Sequence, residues 1–170
     1  MNCDTPKTGS KFTQFMYFGN YSVSIGNIKG VTGVTAYVGG KWNTKQCVEK
    51  ATNQNKNIDA SVINNGVAGY CAPACCCVRY STPGTKPGDW YLPMPGELYQ
   101  IYANKTVIYE KRKALVGSGF NDDLYWSSRE NFSNYEYVVN LNNGDIGYGY
   151  KYNYGNVLGF LALEVSHFIN

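Results

Sequence analysis

Charge is what this sequence has little of. Asp, Glu, Lys and Arg supply only 16% of its 170 residues, so its polarity comes from Asn, Ser, Thr, Gly and Tyr. The net charge of +3 is too small to argue for nucleic acid. Histidine occurs once, as His167 in "EVSHFIN", where it reads as decoration at a strand end rather than a base. No stretch approaches the run of about 18 apolar residues that a membrane helix needs, so membrane insertion is not expected. The start, "MNCDTPKTGSKF", shows no apolar signal segment. The expectation is a chain of cytosolic origin, or an excised domain whose export signal lies elsewhere. Helix formers are scarce while Gly (19) and Tyr (16) are abundant, which favours strands and ordered loops.

The length suits one domain with a real core, preceded by a short arm. Residues 1–40 read as an N-terminal arm and leading strands, and 41–170 as the ligand-binding domain. Asn43 or Thr44 is expected to cap a short helix with Cys47, Val48 and Ala51 on its inner stripe. An Asn-rich loop follows at 52–66. "CAPACCCVRY" holds four of the six cysteines, and "ACCCVRYS" reads as a strand with Cys75 and Cys77 facing one way and Cys76 the other. Zinc knuckles need a second separated Cys pair, which is lacking, so no metal is expected. The cysteines read as small buried hydrophobes or as disulfide formers, Cys47 with one of the cluster being the first pair to consider.

Pro83-Gly84 and Pro87-Gly88 mark turns, and Trp90-Tyr91-Leu92 is a short apolar segment stopped by Pro93. From Pro95, the recurrence of Leu98, Ile101, Tyr102, Ile108, Tyr109, Leu115 and Val116 predicts helix, with Asn104 interrupting it and capping a second one. After Leu124 the period becomes two. "LYWSS", "YEYVVNL", "GDIGYGY" and "VLGFLALEV" read as four strands, and Asn142-Asn143-Gly144 is a hairpin signal. Strands, then two helices, then a mainly antiparallel set predict α+β, with a long C-terminal binding loop and strand region.

Two of these pieces carry a resemblance. "GDWYLPMPGELYQIY" followed by "LYWSSRENFSNYEYVVNLNNGDIGYGYKYNYGNVLGFLALEV" resembles the C-type-lectin-like domain of bacterial surface proteins and phage tail fibres, over roughly residues 84–165. The likeness extends to variable proteins diversified by retroelements, in which adenine-templated errors turn Asn codons into Tyr, Ser, Asp or Gly. It implies a C-type-lectin-like fold and a ligand-binding role on a virion tail fibre or bacterial cell surface. The Glu-Pro-Asn and Trp-Asn-Asp motifs of calcium-dependent sugar binding are not among its residues, so the resemblance implies no calcium and no other cofactor.

The segment "GDIGYGYKYNYGNV" spaces Tyr148, Tyr150, Tyr152 and Tyr154 by two, which gives a single strand one tyrosine face. Better core material flanks it: Val138, Val139, Leu141 and Ile146 before, Val157, Leu158 and Phe160 after. Four buried phenols would each need a partner, at about 1–3 kcal/mol for each one unsatisfied. Tyr among Gly, Ser and Asn is instead the composition of a combining site. The expected ligand-binding residues are these four tyrosines with Asn131, Asn134, Tyr135 and Tyr137, while Trp126 and Trp90 support from below. The partner is a host-cell surface glycan or protein, and a fibre supplies oligomeric avidity. From 125 to 160, Arg129 and Lys151 face Glu130, Glu136 and Asp145, the wrong balance for a phosphate-tracking groove, so no nucleic acid is expected.

The chain is not expected to be an enzyme. Formylglycine-generating enzymes share the fold class, but their paired active-site cysteines do not map onto it. Asp122-Asp123 reads as a polar turn, and "GSGF" at 117–120 as a helix C-cap. A structural subunit interface is the remaining alternative.

Overall fold

Short β-branched and aromatic runs broken by Gly and Asn build most of this molecule, a computed structural model that describes residues 13–17, 39–54, 71–116, 123–151 and 153–161. Among them lie seven strands and four helices. In chain order these are β1 (Thr13–Tyr17), α1 (Gly40–Gln54), α2 (Ala72–Arg79), β2 (Trp90–Tyr91), α3 (Pro95–Ala103) and α4 (Lys105–Val116). Then come β3 (Leu124–Phe132), β4 (Tyr135–Asn140), β5 (Ile146–Tyr150), β6 (Tyr154–Leu158) and β7 (Phe160–Leu161). The main sheet has the order β1-β6-β3-β4-β5, and β2 pairs with β7 in a second, two-stranded one. Every pairing is antiparallel except a single parallel contact, Tyr125 with Asn156, between β3 and β6. The architecture is mixed α+β, as the change of period predicts; α1, α3 and α4 fall where helix is expected, and α2 is the additional one among the described residues. Readings of residues 1–10, 18–38, 55–66, 117–122 and 162–170, Cys3 and His167 among them, fall outside the described residues.

Three local expectations are corrected. "ACCCVR" is helix α2, not a strand. Pro73 sits in its first turn, where a missing N–H costs nothing, and Cys71 precedes it in a left-handed conformation. Small side chains from 71 to 77 are all buried, so neither period two nor helical amphipathicity shows in the sequence. Asn43 and Thr44 do not cap α1, which opens earlier, at Gly40. Both are buried cross-links: Asn43 Nδ2 donates to Met94 Sδ (2.9 Å), and Thr44 Oγ1 donates to the Leu92 carbonyl (3.0 Å) while accepting from the Leu92 N–H (2.9 Å). "VLGFL" divides at Gly159 into β6 and β7, which belong to different sheets.

The helix pair follows its pattern. Pro95 opens α3, and Glu97 closes a capping box by accepting the Met94 N–H (2.6 Å). Asn104 ends α3 through its N–H to the Gln100 carbonyl (3.1 Å), and its own carbonyl takes the Ile108 N–H of α4 (3.1 Å). The hairpin at Asn142-Asn143-Gly144 is closed by Asn140 and Asn143 side chains on the backbone N–H groups of Asn142 and Asp145. Gly144 has φ +82° and lies against the Tyr102 ring of α3, so a side chain there meets both backbone strain and a clash.

The core has two parts. Cys47, Cys71, Ala74, Cys75, Cys77, Leu92, Trp126, Val138 and Val157 pack α1 and α2 onto the sheet. Leu98, Tyr125, Val139, Leu141 and Leu158 seat α3 on the opposite face of the sheet, since Tyr125, Val139 and Leu158 each adjoin a residue of the first cluster along its strand. The five described cysteines are all buried, as small hydrophobes of a core are. The "WYLP" and "YWSS" pieces also meet, the Ser128 N–H donating to the Pro93 carbonyl (2.8 Å).

Candidate ligand-binding surface

The β3–β4–β5 ribbon positions the candidate site. In the β4–β5 register Tyr135 stands opposite Tyr150, and Tyr137 opposite Tyr148. Directly opposed residues share a face, so these four tyrosines form one patch. Tyr135 packs edge-on against Tyr148 (centroids 5.3 Å apart) and at a tilt against Tyr150 (4.3 Å). Each such pair contributes about 0.5–1.5 kcal/mol beyond area burial, enough to hold the rings in place. The Arg129 guanidinium lies 5.9 Å from the Tyr137 ring centroid. Tyr148 remains 61% exposed, and Phe132, paired with Tyr135 from β3, 63%.

Glycine explains why the alternation works. On β5 the residues between the tyrosines are Gly147 and Gly149, and a Cβ at Gly149 would touch the Trp126 ring at 3.4 Å. At Gly155, on β6, it would come within 2.8 Å of Trp126 Nε1. Trp126 is 1% exposed. The buried indole therefore lies flat under both glycines, and the tyrosines face away from it.

The stripe of four on one strand is not what forms. β5 ends at Tyr150, the chain turns with the Asn153 N–H on the Tyr150 carbonyl (2.8 Å), and Tyr154 opens β6, which lies beyond β4 and β3. Tyr152 is outside the described residues. Asn131 is half-buried near the end of β3, and Asn134 lies in the β3–β4 turn, its carbonyl accepting the Lys151 N–H (3.0 Å). The ribbon thus brings Tyr135, Tyr137, Tyr148 and Tyr150 together, with Asn131 and Asn134 along one end. Tyr154 starts on a separate strand.

Lys151 is the physical reason for the break. It is 1% exposed, and its Nζ hydrogen-bonds Glu130 Oε1 and stands 4.0 Å from Glu136 Oε2. Glu130 and Glu136 are themselves fully buried and directly opposed across β3 and β4. Removing each ion from water costs several kcal/mol, and two carboxylates face to face add repulsion. Burial pushes the Glu136 carboxyl well above its ordinary value. Lys151 pulls the other way, while Cys47 and Glu130 reinforce the rise. Neither Glu136 oxygen has a hydrogen-bond partner. Three of the five charges counted along this segment are therefore interior, leaving Arg129 and Asp145 nearer solvent. The charge balance drawn from the sequence counts all five alike. The available signal was a lone Lys inside a Tyr-Gly-Asn run.

A second concavity, of about 590 Å³, lies between α1 and β2 and is lined by Trp42, Lys45, Val48, Val78, Trp90 and Tyr91 among others. Trp90 is braced from the other side, its Nε1 donating to Thr85 Oγ1 (3.1 Å) and its ring edge-on to Tyr80. No helix among the described residues is long and apolar enough to cross a membrane.

No known family profile matches the chain, and no curated protein does. Among solved structures it is similar to a fimbrial protein from Bacteroides ovatus, with a TM-score of 0.57 at 18% identity. The similarity covers 85% of this chain and 33% of that protein, so the chain spans about a third of its length. The two share a fold.

Proposed function

We propose that this chain is a ligand-binding domain of a bacterial surface fibre, with the Tyr135–Tyr137–Tyr148–Tyr150 face as its binding surface. The observation that carries the reading is one face of four opposed tyrosines above a packed floor, Tyr148 and Tyr150 exposed and Tyr135 and Tyr137 half-buried. Pre-ordered rings lose little entropy on binding and offer both apolar contact and phenol hydrogen bonds. Such a surface suits a glycan or protein on another cell, and it suits binding rather than turnover. The fold shared with a fimbrial protein supports a place on the bacterial surface, where many copies in a fibre turn a weak site into an avid one.

The finer reading is a C-type-lectin-like arrangement, carried by the "WYLP" and "YWSS" pieces that meet at Pro93 and Ser128. Diversification by a retroelement belongs with it, as does the tail-fibre variant of the same role. Deep sequencing of the gene's 3′ end tests it. Substitutions should gather between codons 129 and 156 at Tyr and Asn positions and spare Glu130, Glu136, Gly149, Lys151 and Gly155. An invariant 3′ end would remove diversification and leave a fixed site.

The binding test uses the chain displayed in many copies on beads, offered to a printed glycan array and to whole cells. Replacing Tyr148 and Tyr150 by Ser should abolish retention by at least tenfold, while Trp42→Ala should leave it unchanged. The reverse outcome would move the site to the α1–β2 groove. A change in oligomeric state with no change in retention would make the tyrosine face a subunit interface instead.

A further inference from the structure

The interior of the ribbon holds an amine and two carboxyl groups in an arrangement that its role as a mere ion cluster does not account for. Lys151 Nζ is hydrogen-bonded to Glu130 Oε1, and Glu136 stands beside the pair with its Oε2 4.0 Å from the same nitrogen. All three side chains are at most 2% exposed. Glu136 is the group without a hydrogen bond on either oxygen, so a buried carboxyl is aimed at the amine–carboxyl contact and bonded to nothing else. Trp126 and Val138 of the adjoining core cluster come from the same strands, Cys47 from α1 and Cys71 from the residue that precedes α2. The Glu136 charge also acts on Cys71, which places it at that core.

We propose that Lys151 and Glu130 are joined by an intramolecular amide bond, formed with Glu136 as the proton-transfer group. The chemistry balances without an oxidant or cofactor. A proton passes along the existing hydrogen bond, converting ammonium and carboxylate into amine and carboxylic acid. The Lys151 nitrogen then attacks the Glu130 carboxyl carbon, forming one C–N bond. Glu136, as a carboxylic acid, gives its proton to the departing hydroxyl and takes one from the attacking nitrogen. One C–O bond breaks and one water leaves. Burial shifts Glu136 towards the protonated form this step uses.

Two general effects favour the reaction. Fixing the reactants in contact replaces a bimolecular encounter by an intramolecular one, which is worth many orders of magnitude in effective concentration. The product also turns a buried ion pair into a neutral amide, which removes the desolvation penalty the pair carries. The bond would tie the end of β5, one residue beyond Tyr150, to the central strand β3. On the fibre reading above, that fastens the binding face to its scaffold under load. The amide itself does not depend on that reading.

Intact-mass measurement of the purified full chain, denatured, tests this directly. The expected mass is lower than the sequence mass by one water, and a proteolytic digest should contain a branched peptide joining the segments around Glu130 and Lys151. Lys151→Arg, which keeps the charge but lacks the nucleophilic amine, and Glu136→Gln should both show the full mass. Full mass for the folded wild-type chain after prolonged incubation at neutral pH would overturn the proposal. So would a water loss that maps to other residues, or one that persists in Glu136→Gln. The digest of the wild-type chain decides the matter even where a variant fails to fold.

Discussion

The two faces of the β3–β4–β5 ribbon are built from alternate residues of the same strands, and they obey opposite rules. Outward, Tyr135, Tyr137, Tyr148 and Tyr150 touch one another and water. Inward, Glu130, Glu136, Trp126 and the glycines lie in a sealed layer with Lys151. The outer face carries shape and contact chemistry that can change without unfolding the chain. The inner face carries the constraints, because each group there is fitted against another. On the proposed reading, a recognition surface and a fixed scaffold are separated by the pleat of one ribbon.

The largest break in that comparison should come from Lys151→Ala. It leaves two opposed buried carboxyl groups with no cation, and a loss of about 3–5 kcal/mol is expected from urea unfolding. Gly155→Ala should follow, at about 1–3 kcal/mol, since its Cβ falls on the Trp126 indole and the strand or the ring must shift. Near-ultraviolet circular dichroism of the tryptophans reads that shift separately from stability.

The pH dependence is smaller and has a defined sign. Glu136 holds its proton more tightly folded than unfolded, with Lys151 opposing and Cys47 and Glu130 reinforcing. The stabilisation is complete below the ordinary carboxyl value of 4.5 and is lost as pH rises from there towards the folded value. Glu97, raised chiefly by burial against the lowering effect of its hydrogen bonds, acts in the same direction. Urea midpoints should therefore fall as pH rises above 4.5, and Glu136→Gln should flatten the slope. The smallest effect belongs to the outer face: Tyr148→Ser should change stability by about 1 kcal/mol or less, the worth of one ring contact.

Much of the frame was legible because its signals are local. Asn142-Asn143-Gly144 is a turn whose side chains bond its own backbone, and Pro95 with Glu97 marks a helix start. Asn104 divides two helices as its position suggests. The tyrosine patch was partly legible, since period two correctly places Tyr148 and Tyr150 on one face. It could not show that Lys151 ends the strand, because Lys is no turn former and its anchor lies 21 residues away in sequence. The cysteine helix was hidden by burial on every side, which erases periodicity. Glu130 and Glu136 were missed because charges in strands normally face water, and only the cross-strand register reveals them as a buried pair.

The separation of the two faces is tested most directly by one double variant, Tyr148→Ser with Tyr150→Ser. Its melting temperature and its retention on the glycan array and whole cells should be measured on the same preparation. The account predicts melting within a few degrees of the parent chain and retention lost at least tenfold. Unchanged retention at unchanged melting would contradict it, and the tyrosine face would then not be where this protein binds.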